Sequence, residues 1–284
     1  MPGAVSSPVR LDLRDEGSGA SIVFLHGLGG NRTVWSSVLR PLASEFRVIA
    51  VDLRGHGRSP LPEDSAFTFA EFGDDVDFTL DQLGVRTPFL AGLSAGGFLA
   101  LDLALRFPDR WRGLVLLGSA AQCDGHTRAV GEHWAETYRT EGPDAYALRL
   151  LKDLYYPDWI EAHLEVADRL RAEVKTQDLR AAIRWGLEVR QFDVRSRVGK
   201  IRLPTLVLHG MDDRVVDSSH ARYLRQSIPG AALKLFARTG HFVPVERPDE
   251  VVAAIAEFAR GAAAKSRVAG DSPNSPPTMP PPKP

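Results

Sequence analysis

Three short stretches carry side chains that could together move a proton. Gly92-Leu93-Ser94-Ala95-Gly96 sets a serine between two glycines, Asp212-Asp213 supplies paired carboxylates, and His241 follows Gly240. A serine hydroxyl is a weak nucleophile until a neighbouring imidazole takes its proton. The imidazole in turn needs a carboxylate to fix its tautomer and stabilise its charged form. The three types occur here in the order serine, acid, histidine. A G-x-S-x-G run at a strand-to-helix turn holds its serine in a strained backbone that small neighbours permit, which lifts the hydroxyl clear of the sheet. Glycine and serine are common in turns, so the run alone is only moderately specific. The apolar segment before it and the helical pattern after it make it more so.

The elements that must position these groups follow from the apolar pattern. Short apolar or alternating runs predict strands at residues 9–14, 21–25, 46–51, 88–93, 112–117, 204–208 and 232–236. Helical patterns fall between them, near residues 33–43, 67–83, 98–106, 218–226 and 248–259. Strand and helix in alternation give an α/β fold, a mostly parallel, doubly wound sheet with right-handed crossovers. Between residues 122 and 197 the alternation stops and the chain is helical in tone, at 128–139, 145–154, 159–175 and 179–190. The expected organisation is therefore a core in two parts, residues 1–121 and 198–261, with an inserted helical cap at 122–197. Residues 262–284 are alanine- and then proline-rich and predict a disordered tail, because such a segment buries too little apolar surface to offset its ordering entropy. In a parallel sheet ligands collect at the carboxyl ends of the strands. Ser94, the aspartate pair and His241 all lie just after predicted strands, so one sheet edge could gather them.

With these motifs on the page, the sequence resembles an α/β-hydrolase over roughly residues 11–260. The resemblance is carried by His26-Gly27-Leu28-Gly29, Asp52-Leu53-Arg54-Gly55-His56-Gly57-Arg58-Ser59, Gly92-Leu93-Ser94-Ala95-Gly96, His209-Gly210-Met211-Asp212-Asp213 and Gly240-His241-Phe242. It implies Ser94 as nucleophile and His241 as general base, later acid. The family pattern of glycine, two variable residues, then aspartate selects Asp213 over Asp212 as the carboxylate. The resemblance also implies an oxyanion hole from the backbone amides of Leu28 and Ala95, which the dipole of the helix starting at Ala95 would favour. A serine in the elbow, where related dehalogenases and epoxide hydrolases carry aspartate, argues against those chemistries.

Composition sets the remaining bounds. A formal net charge of −1 gives no electrostatic case for nucleic acid or an anionic membrane as partner. The single cysteine, Cys123, excludes an internal disulfide and a thiolate metal cluster. No secretion signal or membrane-spanning run is evident at this level, so the expected location is cytoplasmic. No cofactor or metal is expected, the expected partner is a small-molecule substrate, and the oligomeric state is open. His26, His56, Arg58 and His209 read as loop-ordering residues. His126, His133 and His163 read as solvated cap positions, and Cys123 as a small hydrophobe placed where it could line a site.

The resulting expectation is a cofactor-independent serine hydrolase of small-molecule carboxylic esters or lactones, working through an acyl-enzyme. The same residues could cleave a C–C or amide bond or run haloperoxidase or perhydrolase chemistry. A ligand receptor on a hydrolase fold is a further reading. Cap residues such as Arg184, Arg190 or Trp185 pointing at Ser94 would discriminate these readings, and a cation there would favour a carboxylate-bearing substrate.

Overall fold

The computed structural model describes residues 7–176 and 179–268. Seven strands, β1 (Leu13–Glu16), β2 (Ser21–Leu25), β3 (Arg47–Val51), β4 (Phe89–Leu93), β5 (Gly113–Leu117), β6 (Thr205–Gly210) and β7 (Ala232–Phe236), form one sheet. Its order is β1-β3-β2-β4-β5-β6-β7; β1 runs antiparallel to β3 and every other pair is parallel. The central strands β4, β5 and β6 are buried along their whole length, as strands covered on both faces must be. Alternate side chains feed two cores. Val23, Leu25 and Leu90 face one, with α2 (Phe69–Gln82) and α3 (Ala95–Arg106) packed over it. Ile22, Phe24 and Ala91 face the other, beneath α1 (Ser36–Leu42) and α10 (Pro248–Val268). The sheet is thus doubly wound.

The first strand starts later than its alternating pattern predicts, at Leu13 instead of residue 9. The reason lies in where the preceding amides go. Val9 N–H donates to Asp75 Oδ1 (2.7 Å), Leu11 N–H to Thr79 Oγ1 (3.0 Å) and Asp12 N–H to Ser59 Oγ (2.8 Å). Side chains of α2 and of the loop after β3 take the bonds that a sheet neighbour would have supplied.

Between β5 and β6 lie α4 (Gly125–Leu154), α5 (Pro157–Glu161), α6 (Leu164–Thr176) and α7 (Arg180–Val189). α4 breaks into two arms at Gly142-Pro143, where Gly142 takes φ 85° and ψ −176°; a side chain would be strained there. Trp134 Nε1–H on the first arm donates to Asp153 Oδ2 on the second (2.8 Å), and Arg149 Nε bonds the same oxygen (2.8 Å). The helix expected over 159–175 is divided, because the His163 ring nitrogen bonds the Trp159 carbonyl (2.7 Å) and closes α5. Beyond β6 come α8 (Ser218–Ser227), the short α9 (Val243–Glu246) and α10.

α10 continues to Val268, past residue 261 where the tail was expected to begin. Ala262, Ala263 and Ala264 are strong helix formers, and Ala262 is buried against the core. The rest of that expected tail, 269–284, lies outside the described residues. Among them, no helix is long and apolar enough to cross a membrane.

Candidate active site

Ser94 stands between β4 and α3 at φ 55°, ψ −123°, a conformation that serine adopts only under constraint. Two glycines impose it. A Cβ at Gly92 would lie 2.3 Å from the Gly96 carbonyl oxygen, and one at Gly96 would lie 2.5 Å from the carbonyls of Leu25 and His26. The strand-to-helix turn therefore closes only with glycine on both sides of the serine. Ser94 N–H donates to Leu117 O on β5 (2.9 Å), and the Ser94 carbonyl accepts from Gly97 N–H (2.8 Å) and Ser119 Oγ (3.1 Å).

Ala95 begins α3, and the first amides of a helix have no acceptor within it. Leu28 lies in the loop after β2. Among the described residues, neither the Leu28 nor the Ala95 N–H has a protein acceptor. Behind that loop, His26 Nδ1 bonds its neighbour's carbonyl at Gly27 (2.8 Å) and Nε2 accepts from Leu53 N–H (2.9 Å). That pairing assigns the neutral Nδ1–H form. Burial pushes this imidazole down to about 3, helped by nearby His56, so it stays neutral and works as a strut. His56 is likewise driven down, to about 4, by burial. The loop after β3 is held chiefly by Arg54, which is fully buried and meets Asp75 through Nε and Nη2 (both 2.7 Å).

Asp213 follows β6 and has every acceptor position engaged. Its Oδ1 accepts the amides of Val215 (2.8 Å) and Val216 (2.9 Å), and its Oδ2 faces His241 Nδ1 (2.7 Å) and His209 Nε2 (3.2 Å). Burial works to raise its pKa, but the charge of His241 and the bonds from both imidazoles outweigh that and hold it well below the carboxylate range. Asp212 is exposed, so the carboxylate facing the imidazole is that of Asp213. His209 goes further than the loop-ordering role expected of it. It is a second imidazole on the same oxygen, with Nε2 also bonding Val216 O (2.8 Å). Burial lowers its pKa and Asp213 more than offsets that, leaving it raised.

His241 is 1% exposed. Its amide, and that of Phe242, donate to Leu154 O at the end of α4 (2.9 and 3.1 Å). Close by, Glu246 on α9 accepts Gly240 N–H through Oε1 (3.0 Å) and Tyr156 N–H through Oε2 (3.1 Å). One buried carboxyl thus joins the histidine loop to the helical insertion. Burial raises its pKa to about 7 against the pull of those two amides. The sequence signal for Glu246 is slight, a single carboxylate directly after the apolar run Val243-Pro244-Val245.

Ser94 and His241 both line a cavity of about 440 Å³ between the sheet edge and α4, α5 and α6. A second cavity, of about 160 Å³, lies toward α7 and shares Leu28, Gly29, Ser94, Trp134 and Tyr146 with the first. His163, expected to be solvated, lines the larger one and stacks on Trp159 (centroids 4.0 Å, 10°). Neither Arg184 nor Trp185 reaches either cavity. Arg184 lies over the Phe67 ring (4.5 Å) and bonds Ser65 O, while Trp185 is fully buried and stacked on Phe72 (4.5 Å). Arg190 lines the smaller cavity and is paired with Glu132 (3.5 Å). Cys123 lines it too, with its thiol pushed up by burial. Among the described residues, no group of three or more His, Cys, Asp or Glu could hold a metal ion.

Comparison with known proteins gives one consistent picture. A family model described as the alpha/beta hydrolase fold matches residues 20–248. A Caulobacter sp. (strain K31) protein assigned as carbamate hydrolase RutD is 32% identical over 249 residues, covering 86% of this chain and 92% of its own. The 2-hydroxymuconate semialdehyde hydrolase of Pseudomonas sp. (strain CF600) is 30% identical over 270 residues, covering 89% and 92%. Among solved structures, a thermophilic esterase from Thermogutta terrifontis superposes with a TM-score of 0.80 at 29% identity, over 89% of this chain and 93% of that one. The enol-lactonase from Burkholderia xenovorans LB400 gives 0.80 at 27%, over 88% and 96%.

Proposed function

The chain belongs to the alpha/beta hydrolase fold family, and from that premise we propose that it is a serine hydrolase cleaving small-molecule carboxylic esters or lactones through an acyl-enzyme. The observation that carries this reading is the Asp213–His241 contact (2.7 Å) beside a cavity that a strained Ser94 also lines. With Nδ1–H held by the carboxylate, the free ring nitrogen of His241 is the base that takes the Ser94 proton as Oγ attacks the carbonyl carbon. The charge that develops on the carbonyl oxygen falls to the amides of Leu28 and Ala95, and a single such donor is worth roughly 3–4 kcal/mol. His241 then protonates the leaving group, and a water activated by the same imidazole releases the acid. The four helices between β5 and β6 act as a lid that shapes the pocket. No step in this scheme calls for a cofactor.

The test is turnover of an ester and lactone panel with Ser94→Ala as the blank. Turnover should fall by at least about 10⁴-fold while the fold is kept; unchanged turnover refutes the proposal. The 30% identity to a 2-hydroxymuconate semialdehyde hydrolase favours a second reading on the same residues, cleavage of a C–C bond. Adding a ring-cleavage product and a carbamate to the panel separates the readings by which substrate gives the highest Ser94-dependent kcat/KM.

A further inference from the structure

Ser94 sits where the two cavities meet, and the chemistry assigns each a different half of the substrate. The proton that His241 takes from Ser94 must go to the leaving group as the bond from the carbonyl carbon breaks. The leaving group therefore lies on the His241 side. His241, Phe242 and Glu246 line only the larger cavity, and Ala95, whose amide faces the carbonyl oxygen, lines only the smaller. From this we infer that the smaller cavity is an acyl subsite for a compact apolar acyl group of about six carbons, and that the larger one takes the leaving group. The inference rests on the acyl-enzyme reading above. Written as a whole, R–CO–X and water give R–COOH and HX, with R in the smaller cavity and X in the larger.

Size and lining set the class of R. At about 160 Å³ the smaller cavity is close to an apolar cavity of ~150 Å³ that holds a benzene-sized guest. Phe98, Leu179, Val189, Val215 and Val216 wall it. Its charged side chains are paired or out in solvent, and one of its hydroxyls is already bonded. The Thr127 hydroxyl donates to Val215 O (3.1 Å), Arg190 is paired with Glu132 (3.5 Å), and Arg128 is exposed. A cationic acyl chain would lose water there and face two arginines, whereas most of the wall is apolar. On the other side, Tyr155, Trp159 and His163 form a run of stacked rings along the larger cavity (5.4 Å, 8° and 4.0 Å, 10°), a surface suited to a flat leaving group.

The experiment uses the full chain, aryl esters from acetate to decanoate, Ser94→Ala as the blank, and two variants that fill the smaller cavity. Gly131 lines that cavity and a Cβ there meets nothing within 4 Å, so Gly131→Phe and the milder Gly131→Leu are chosen. Wild-type kcat/KM should rise about fourfold per methylene to about six carbons and then level or fall. The variants should lower the hexanoate-to-acetate ratio at least tenfold. A ratio unchanged in both folded variants, or a profile that is flat or still rising at decanoate, overturns the inference while leaving the hydrolase reading standing. So does a change in leaving-group preference at fixed acetate with the acyl profile intact. No Ser94-dependent turnover anywhere in the series overturns the ester reading itself, and the inference with it.

Discussion

The site has two walls made in different ways. The sheet-edge wall is mostly backbone. Ser94 and Asp213 leave strands that are buried end to end, and the glycines around Ser94 leave no room for a Cβ. The helical wall is side chains on an open framework, with Leu148 and Leu187 more than half exposed and Gly131 and Gly142 facing open space. The contrast separates two tasks. On the proposed mechanism, the atoms that move protons are held by main-chain geometry with little freedom, whereas the surfaces that would meet substrate stand on helices whose residues can change at low cost.

The contrast can be tested at four points, in decreasing order of effect. Asp213→Asn keeps the shape of the sheet-edge wall and removes the tautomer control, so kcat per folded molecule should fall by about 10⁴-fold. A fall of less than tenfold would mean that this wall does not set the chemistry. The same small substitution made on each wall is the next test, read by urea unfolding. Gly96→Ala drives a Cβ to 2.5 Å from two carbonyl oxygens and should destabilise by roughly 3 kcal/mol or more. Gly131→Ala on the helical wall should stabilise by about 1 kcal/mol through helix propensity. Equal effects would erase the distinction.

Glu246 spans both walls and supplies a pH test. Its carboxyl is raised from 4.5 to about 7, so between those values the folded chain holds a proton that the unfolded chain has released. Stability from this group is full below about pH 4.5 and is lost as pH rises through about 7. Relative to Glu246→Gln, the wild type should lose up to about 3 kcal/mol between about pH 4 and pH 8. Parallel pH–stability curves would place that ionisation elsewhere. The smallest effect is expected within the helical wall, where Trp134→Phe removes the bond to Asp153. Thermal melts should show a loss of about 1–2 kcal/mol.

The same contrast explains what could be read in the sequence. The seven strands and the loop positions of Ser94, Asp213 and His241 were legible because apolar period, glycine spacing and chain order are local signals. The late start of β1 was not, because the groups that take the Val9 and Leu11 amides, Asp75 and Thr79, lie more than sixty residues away. His209 was read as a loop residue because only the folded chain puts it on Asp213. His163 was placed in solvent for the same reason, since its stacking on Trp159 depends on where α5 ends. Arg184 and Trp185 were sensible candidates by type, yet helix phase turns them toward Phe67 and Phe72 and away from both cavities.

The hairpin made by α4 is tied down at both of its ends. Near its start, His126 and Thr127 bond the carbonyls of Arg214 and Val215, beside Asp213; at its finish, Leu154 O receives the amides of His241 and Phe242. It therefore cannot swing out like a hatch on one hinge without tugging the acid and the imidazole out of register. The hairpin is thereby a brace between the acid loop and the histidine loop. On the proposed mechanism, grafting this insertion from a relative would transplant part of the acid–imidazole alignment along with the lining of the pocket.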